Sequence, residues 1–567
     1  MKSTSLLLMC ILVATACGIE DPTSEISEYN WWPVQPVPEG LVIAKEAESH
    51  GENALLYSIA GHVAAAQKNG EVDELVWIEV GGEYPKWYSR FVNRIEPEER
   101  GEFNVWELLD RYKDVINIEG YILYNPELNS ELRDEMDFSY NIAVSYAGVE
   151  NAIIIDESLE SEIQMLGYTK ILDAREISRD HYFKDLKNRK NRDLIVTMNP
   201  SQHNNMDFAI ANNALVFYDT DEVTEEAMEW VNPISPVVGW NHGDEYEFTI
   251  MATKNGLFNT ASDHANNLIT LSAGAEIAEI NQINSVNPGT IDFDKKGHFH
   301  SFLMSDGDNM QWTIGSFLEH ENYWGSSFHG DFPMGFTSPS INLSLMAPDV
   351  LNEFSNTQPE YTTVIEYGPG GYQYPDQFAS DTENREEVQR EYARRISRHM
   401  NRAGVTVLGF ISVEISSEDA MEAYQIYAEE IDNLTGMLAV QYAPYHGGDG
   451  EVFWMENRDG VKIPVVTSKY SLWQGLDFDE RGGDIQKVAD IINKDIEGKD
   501  ESMEWTAIHS WSEFKNPADT SETAIGVQPL KWTIDQMNDE INIVSPEELI
   551  WRIRMKHYPE QTSNVIR

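Results

Sequence analysis

From residue 298 onward, short and almost continuously apolar runs alternate with stretches of helical spacing. Runs of that kind are strands buried on both faces, so the pattern restricts this half to a parallel sheet covered by helices. The strand candidates are His298–Ser305, Phe332–Thr337, Thr362–Tyr367, Val405–Val413, Met437–Ala443, Ile463–Ser468, Thr506–Ser510 and Ile541–Val544. Helical patterns fill most of the gaps, at Ile341–Phe354, Glu386–Ala403, Ser417–Leu434, Ile485–Ile496 and Pro546–Met555. Eight strands in about 270 residues match the count and length of a (β/α)8 TIM-like barrel. The gap after Met437–Ala443 has no helical pattern and reads as a long loop or hairpin.

The preceding half is also α/β. Leu75–Val80, Ile118–Tyr124, Ala152–Asp156, Leu194–Met198, Leu215–Asp219 and Pro236–Trp240 are strand candidates. Tyr57–Gln67, Tyr140–Val149 and Thr224–Val231 carry helical spacing between them, which favours one or two small parallel-sheet domains. The turn-rich stretch Asn281–Gly297 marks a boundary. The expected organisation is an export signal over 1–17, a proline-dotted tether over 18–50, an N-terminal α/β region over 51–290 and the TIM-like barrel over 291–567. No G-x-G-x-x-G or G-x-x-x-x-G-K-[ST] occurs, so a nucleotide phosphate site has no support.

Lys2 precedes the apolar run Leu6–Ala16, which is long enough for a secretory signal and too short to span a membrane. Ala14-Thr15-Ala16-Cys17 satisfies the cleavage rule and resembles a bacterial lipobox, with Cys17 as the lipidation residue. Outer-membrane lipoprotein and periplasmic or secreted protein are both open destinations. The only other cysteine is Cys10, so the mature chain has no disulfide and no thiolate nucleophile or metal ligand. With 40 Lys+Arg against 96 Asp+Glu, the formal charge is −56. That field disfavours nucleic acid, anionic membrane surfaces and polyanionic substrates. Membrane association is expected only through an N-terminal lipid.

In a barrel, functional groups gather at the carboxyl ends of the strands. The first strand runs into Ser305-Asp306-Gly307-Asp308-Asn309, where two carboxylates and an amide could act as acid and base, hold a sugar hydroxyl or hold a cation. The same residues also suit a helix-capping turn. His298 and His300 sit at the opposite end of that strand and read as structural. The third strand carries Glu366 and enters Gly368-Pro369-Gly370-Gly371-Tyr372-Gln373-Tyr374-Pro375-Asp376. Its glycines permit close backbone approach, and Tyr372 and Tyr374 offer flat faces on which a pyranose could pack. The fourth strand ends at Glu414, and strand alternation after the seventh puts His509, Trp511 and Glu513 on one face. Tyr442, Tyr445 and Trp454 follow the fifth strand and Trp473 the sixth.

Three blocks, Ser305–Trp312 (S-D-G-D-N-M-Q-W), Phe332–Ser340 (F-P-M-G-F-T-S-P-S) and Pro369–Asp376 (P-G-G-Y-Q-Y-P-D), resemble the GxGYxYP family of putative glycoside hydrolases, found largely among exported and lipidated proteins of Bacteroidetes type. The first glycine of the naming motif is replaced by Pro369. The resemblance implies cleavage of glycosidic bonds in an oligo- or polysaccharide, for which one carboxylic acid and one carboxylate suffice without a cofactor or metal. Asp306 and Asp308 are the first candidates for that chemistry, Glu366 and Glu414 the next, with His509 orienting or polarising a hydroxyl. Asn309, Tyr372, Tyr374, Trp454, Trp473, Trp511 and Glu513 are candidate substrate contacts. Two other classes stay open: a non-catalytic glycan-binding surface lipoprotein, and a hydrolase assisted by a cation on the Asp306–Asn309 oxygens.

Overall fold

The computed structural model describes residues 31–125, 137–307, 309–443, 445–476 and 480–566. Cys17, the signal segment and Asp308 lie outside the described residues.

Three small parallel sheets make up the first half. In the first, Gly40–Lys45 is the central strand between Glu74–Glu79 and Glu98–Phe103. Gly120–Tyr124 is central in the second, between Ala152–Asp156 and Lys170–Asp173. The third has the order Phe258–Thr260, Pro236–Gly239, Ile195–Thr197, Leu215–Phe217. The helix His50–Lys68, capped by Ser49, packs on both the first and second sheets and on the helix Met206–Ala211 of the third. It is buried almost all round, which its run Ala60-Gly61-His62-Val63-Ala64-Ala65-Ala66 permits. A Cβ on Gly61 would stand 2.8 Å from Ile210, so a glycine there lets two helices approach closely.

The stretch expected to be a tether is therefore partly core. Trp31 and Trp32 are buried with their indole N–H groups on Asn342 Oδ1, and Gly40–Lys45 has the apolar pattern of a central strand. The prolines at 33, 36 and 38 lead into that strand without interrupting it.

A large curled sheet forms the second half. Its parallel strands run Lys462–Thr467, Gly436–Gln441, Val407–Ser412, Thr362–Tyr367, Met334–Ser338, His298–Met304, Ser502–Ile508 and Tyr470–Leu472 in spatial order. The first and last of these are consecutive in the chain. Ser468 N–H donates to Ala439 O at 3.0 Å and Lys469 N–H to Trp505 O at 3.2 Å, so residues 462–472 pair with a neighbour on each side in turn. The expected eighth strand, Ile541–Ile543, pairs only with the first half of His298–Met304 before the chain turns into the helix Pro546–His557. The helix-free gap is a hairpin, with Val452–Glu456 antiparallel to Lys462–Thr467. The eightfold strand–helix repeat of a (β/α)8 barrel is therefore not established.

Alternation sorts side chains to the two faces. Phe299, Leu303, Ile365, Val407, Leu438, Val440, Val466 and Trp505 point inside the curl and pack on Leu549, Ile550 and Ile553 of the final long helix. Phe302, Met304, Phe336, Val364, Leu408 and Phe410 face outward into the main core. Pro546 lies against Gly335, near the start of its strand, which places the helix at the amino ends of the strands and leaves the carboxyl ends open. His298 and His300 lie at the plugged end, paired with Ser502 Oγ and Thr506 Oγ1, and burial holds the His300 imidazole neutral with a pKa of about 3.

Candidate active site

The open end holds a cleft lined by Glu245, Asp306, Tyr372, Tyr445, Trp473 and His509 among others, with a volume of about 100 Å³. At roughly 10–15 Å³ per water, that admits on the order of seven to ten waters, about the space of one sugar ring.

Asp306 reaches the cleft because the backbone turns sharply there. Its φ is +65°, and a Cβ on the next residue, Gly307, would stand 1.8 Å from Thr337 O. Gly307 N–H donates to Thr337 Oγ1 at 2.8 Å, which pins the turn to the neighbouring strand. Ser510 Oγ donates to Asp306 Oδ2 at 2.7 Å. Burial raises the Asp306 pKa, while His509 and Ser510 act in the opposite sense. The His509 ring lies flat on Trp473, with centroids 4.5 Å apart and planes within 2°. Burial lowers the His509 pKa and Asp306 opposes that shift.

Glu245 comes from the other half. The third small sheet delivers Trp240-Asn241-His242-Gly243-Asp244 past the end of Pro236–Gly239, and Asp244 caps the helix Glu245–Lys254. As the first residue of that helix, Glu245 lines the cleft while part of its surface stays open to solvent, and partial burial, then Asp306, then Asp244 raise its pKa to about 7. Glu245 is not apparent from the strand rule when that rule is applied only to the second half. The acidic run just past the candidate strand Pro236–Trp240 is the signal that points to it.

The Gly370-Gly371 loop joins the halves. Tyr372 N–H donates to Asn259 O at 2.7 Å, and Asn259 N–H donates to Tyr372 O at 3.0 Å. Thr260 Oγ1 and Asn342 Nδ2 both donate to Gly370 O. Asp376, fully buried, accepts from the backbone N–H groups of Val413 and Glu414 at 3.0 and 2.9 Å. Pro369, in place of the motif's first glycine, uses its carbonyl to accept from Tyr392 OH. Tyr372 packs edge-on against Trp240, 4.8 Å away, and lines the cleft. Tyr374 packs instead among Tyr246 and Tyr442.

The other candidates lie elsewhere. Glu366 alternates with the inward-facing Ile365 and Tyr367, so it points away from the cleft; its Oε2 accepts from Ile341 N–H at 3.0 Å at the start of the helix Ser340–Met346. Glu414 is exposed and does not line the cleft. The seventh strand ends at Ile508, so the expected alternation of His509, Trp511 and Glu513 does not continue. His509 enters the cleft, Trp511 stands exposed beside Trp312, and Glu513 accepts from Thr523 Oγ1 in solvent. Asn309 caps the next short helix through Trp312 N–H. Trp454 lies far from the open end, against His557 and Tyr558 of the plugged end. Among the described residues no three His, Cys, Asp or Glu side chains are grouped as a metal site.

The fold and site define a multidomain α/β protein whose carboxylate-lined cleft lies between an α/β half and a curled parallel sheet. Residues 296–554 match the GxGYxYP putative glycoside hydrolase C-terminal domain, 192–273 the GxGYxYP third domain and 118–189 the GxGYxYP N-terminal second domain. The chain belongs to the GxGYxYP family. A putative hydrolase from Bacteroides thetaiotaomicron VPI-5482 shares the fold, with a TM-score of 0.75, 22% identity, and coverage of 94% of this chain and 97% of that one. No curated protein matches.

Proposed function

We propose that the cleft hydrolyses glycosidic bonds, with Glu245 as proton donor and Asp306 as the partner carboxylate. The observation that carries this is two carboxyl groups in one cleft, both raised by burial, that differ in their other partners. Asp306 has Ser510 and His509 to support its ionised form, whereas Glu245 feels burial and two neighbouring acids. On this reading those partners make Asp306 the carboxylate, while Glu245, with a pKa of about 7, keeps its proton to near neutrality, the division of labour that glycoside cleavage needs. Glu245 protonates the glycosidic oxygen as the C–O bond to the anomeric carbon breaks. Asp306 either attacks that carbon, forming a glycosyl ester that water then cleaves, or takes a proton from the water that attacks it.

Tyr372, Tyr445 and Trp473 supply flat apolar faces for the ring, and among the described residues none that lines the cleft is Lys or Arg. A neutral glycan fits such a lining, whereas a uronate or sulfated sugar would meet carboxylates without a compensating cation. On this view the curled sheet works as a TIM-like barrel closed through residues 462–472, with its site at the carboxyl ends. We also infer that the chain is exported and lipidated at Cys17, where it would meet such glycans outside the cell.

The test is reducing-sugar release by the full chain on neutral plant and algal polysaccharides, beside Asp306→Asn. We expect release from the wild type and a loss of roughly 10²–10⁴-fold in the variant. Binding without release in the wild type would overturn the hydrolase reading in favour of a glycan-binding protein.

A further inference from the structure

We propose that Trp511 forms a second sugar platform, outside the cleft, which holds the sugar unit next to the one bound in the cleft. The proposal rests on the cleft being the sugar site of the proposed function. Of fifteen tryptophans, Trp511 alone is exposed, at 49% of its surface. A large apolar ring left in water at the rim of a cleft is a recognition feature when it is held rigidly, because stacking then costs little side-chain entropy.

The ring is held from behind. Its centroid lies 4.5 Å from that of Trp312 and 5.8 Å from that of Tyr323, and Trp312 packs edge-on against Tyr323 at 4.5 Å. The platform also adjoins the chemistry. Ser510, the residue before Trp511, donates to Asp306, and burial, with Asp306 adding to it, raises the Tyr323 pKa to about 12. The turn after the seventh strand separates two roles. Ser512 N–H donates to His509 O at 3.1 Å, so His509 stays in the cleft on Trp473 while Trp511 is carried outside. A cleft with space for about one ring cannot enclose the next unit of a glycan. The exposed face beside Asp306 is where that unit would lie, its C–H face on the indole.

Calorimetric titration of the full chain tests this, in a Glu245→Gln background that suppresses turnover. The probes are glucose with cellobiose and cellotetraose, xylose with xylobiose, mannose with mannobiose, and galactose with lactose. We expect Trp511→Ala to weaken the oligomer of the binding series by about tenfold, corresponding to about 1.4 kcal/mol. The monosaccharide should bind unchanged, and Trp511→Phe should restore most of the loss. An equal loss on the monosaccharide, or no loss on the oligomer, overturns the platform. If the wild type binds with this length dependence yet releases no reducing sugar, the platform stands and the hydrolase reading falls. Failure of every probe to bind overturns both.

Discussion

Glu245→Gln should lower turnover of a cleaved glycan by about 10²–10⁴-fold and remove the alkaline fall of the rate profile. In the wild type, activity should decline as pH rises through about 7, where Glu245 would lose the proton it donates. Stability should move with it. The folded-state pKa lies above the ordinary value of 4.5, so between 4.5 and about 7 the folded state holds more proton than the unfolded chain. Stability from this group is complete below that window and falls as pH rises through it, by less than the full shift implies because Glu245 is partly open to solvent. Glutamine has no charge to bury. The variant should therefore melt higher than the wild type at pH 8, with the difference shrinking toward pH 4. Scanning calorimetry at the two pH values checks the sign, and an unchanged difference would exclude Glu245 as the titrating group.

Gly371→Ala should destabilise the protein by about 2–4 kcal/mol, because it combines strained backbone with overpacking. Gly371 has φ +147°, and a Cβ there would stand 2.2 Å from Asn259 O. The contact is backbone, so no side-chain rotation relieves it. The same shift would part Tyr372 from Asn259 and disturb the alignment of Glu245 with Asp306. Chemical denaturation should show a lower midpoint. Turnover should fall more than the unfolded fraction explains.

The curled sheet is legible because both its faces are buried, which writes its strands as apolar runs; Thr362–Tyr367 coincides with its observed limits. Gly40–Lys45 has that pattern and is hidden only by its proline-dotted surroundings, whereas other strands that escape notice lack it. Glu98–Phe103 is E-E-R-G-E-F on a largely exposed edge, Lys170–Asp173 is another exposed edge, and Phe258–Thr260 has only three residues. Their place is set by neighbours far along the chain. At the site, Asp306 is reachable from its position past an apolar strand, and His509 and Trp473 likewise. Glu366 misleads because alternation, and not proximity to a strand end, decides which face a side chain takes. Glu245 requires knowing that a helix from one half caps the cleft of the other, a docking that local spacing does not encode.

The bonds between Tyr372 and Asn259 are made wholly by main-chain atoms, and the bond from Thr260 Oγ1 to the loop's Gly370 carbonyl needs only a small polar side chain on the facing half. A joint of that kind is indifferent to most of the sequence on either side of it. The two halves can therefore diverge, or be exchanged between relatives, while the loop keeps Gly371 and the facing strand keeps its edge. Such modularity would let one half change the acid-bearing wall and the sugar it admits, while the other preserves the carboxylate that faces it.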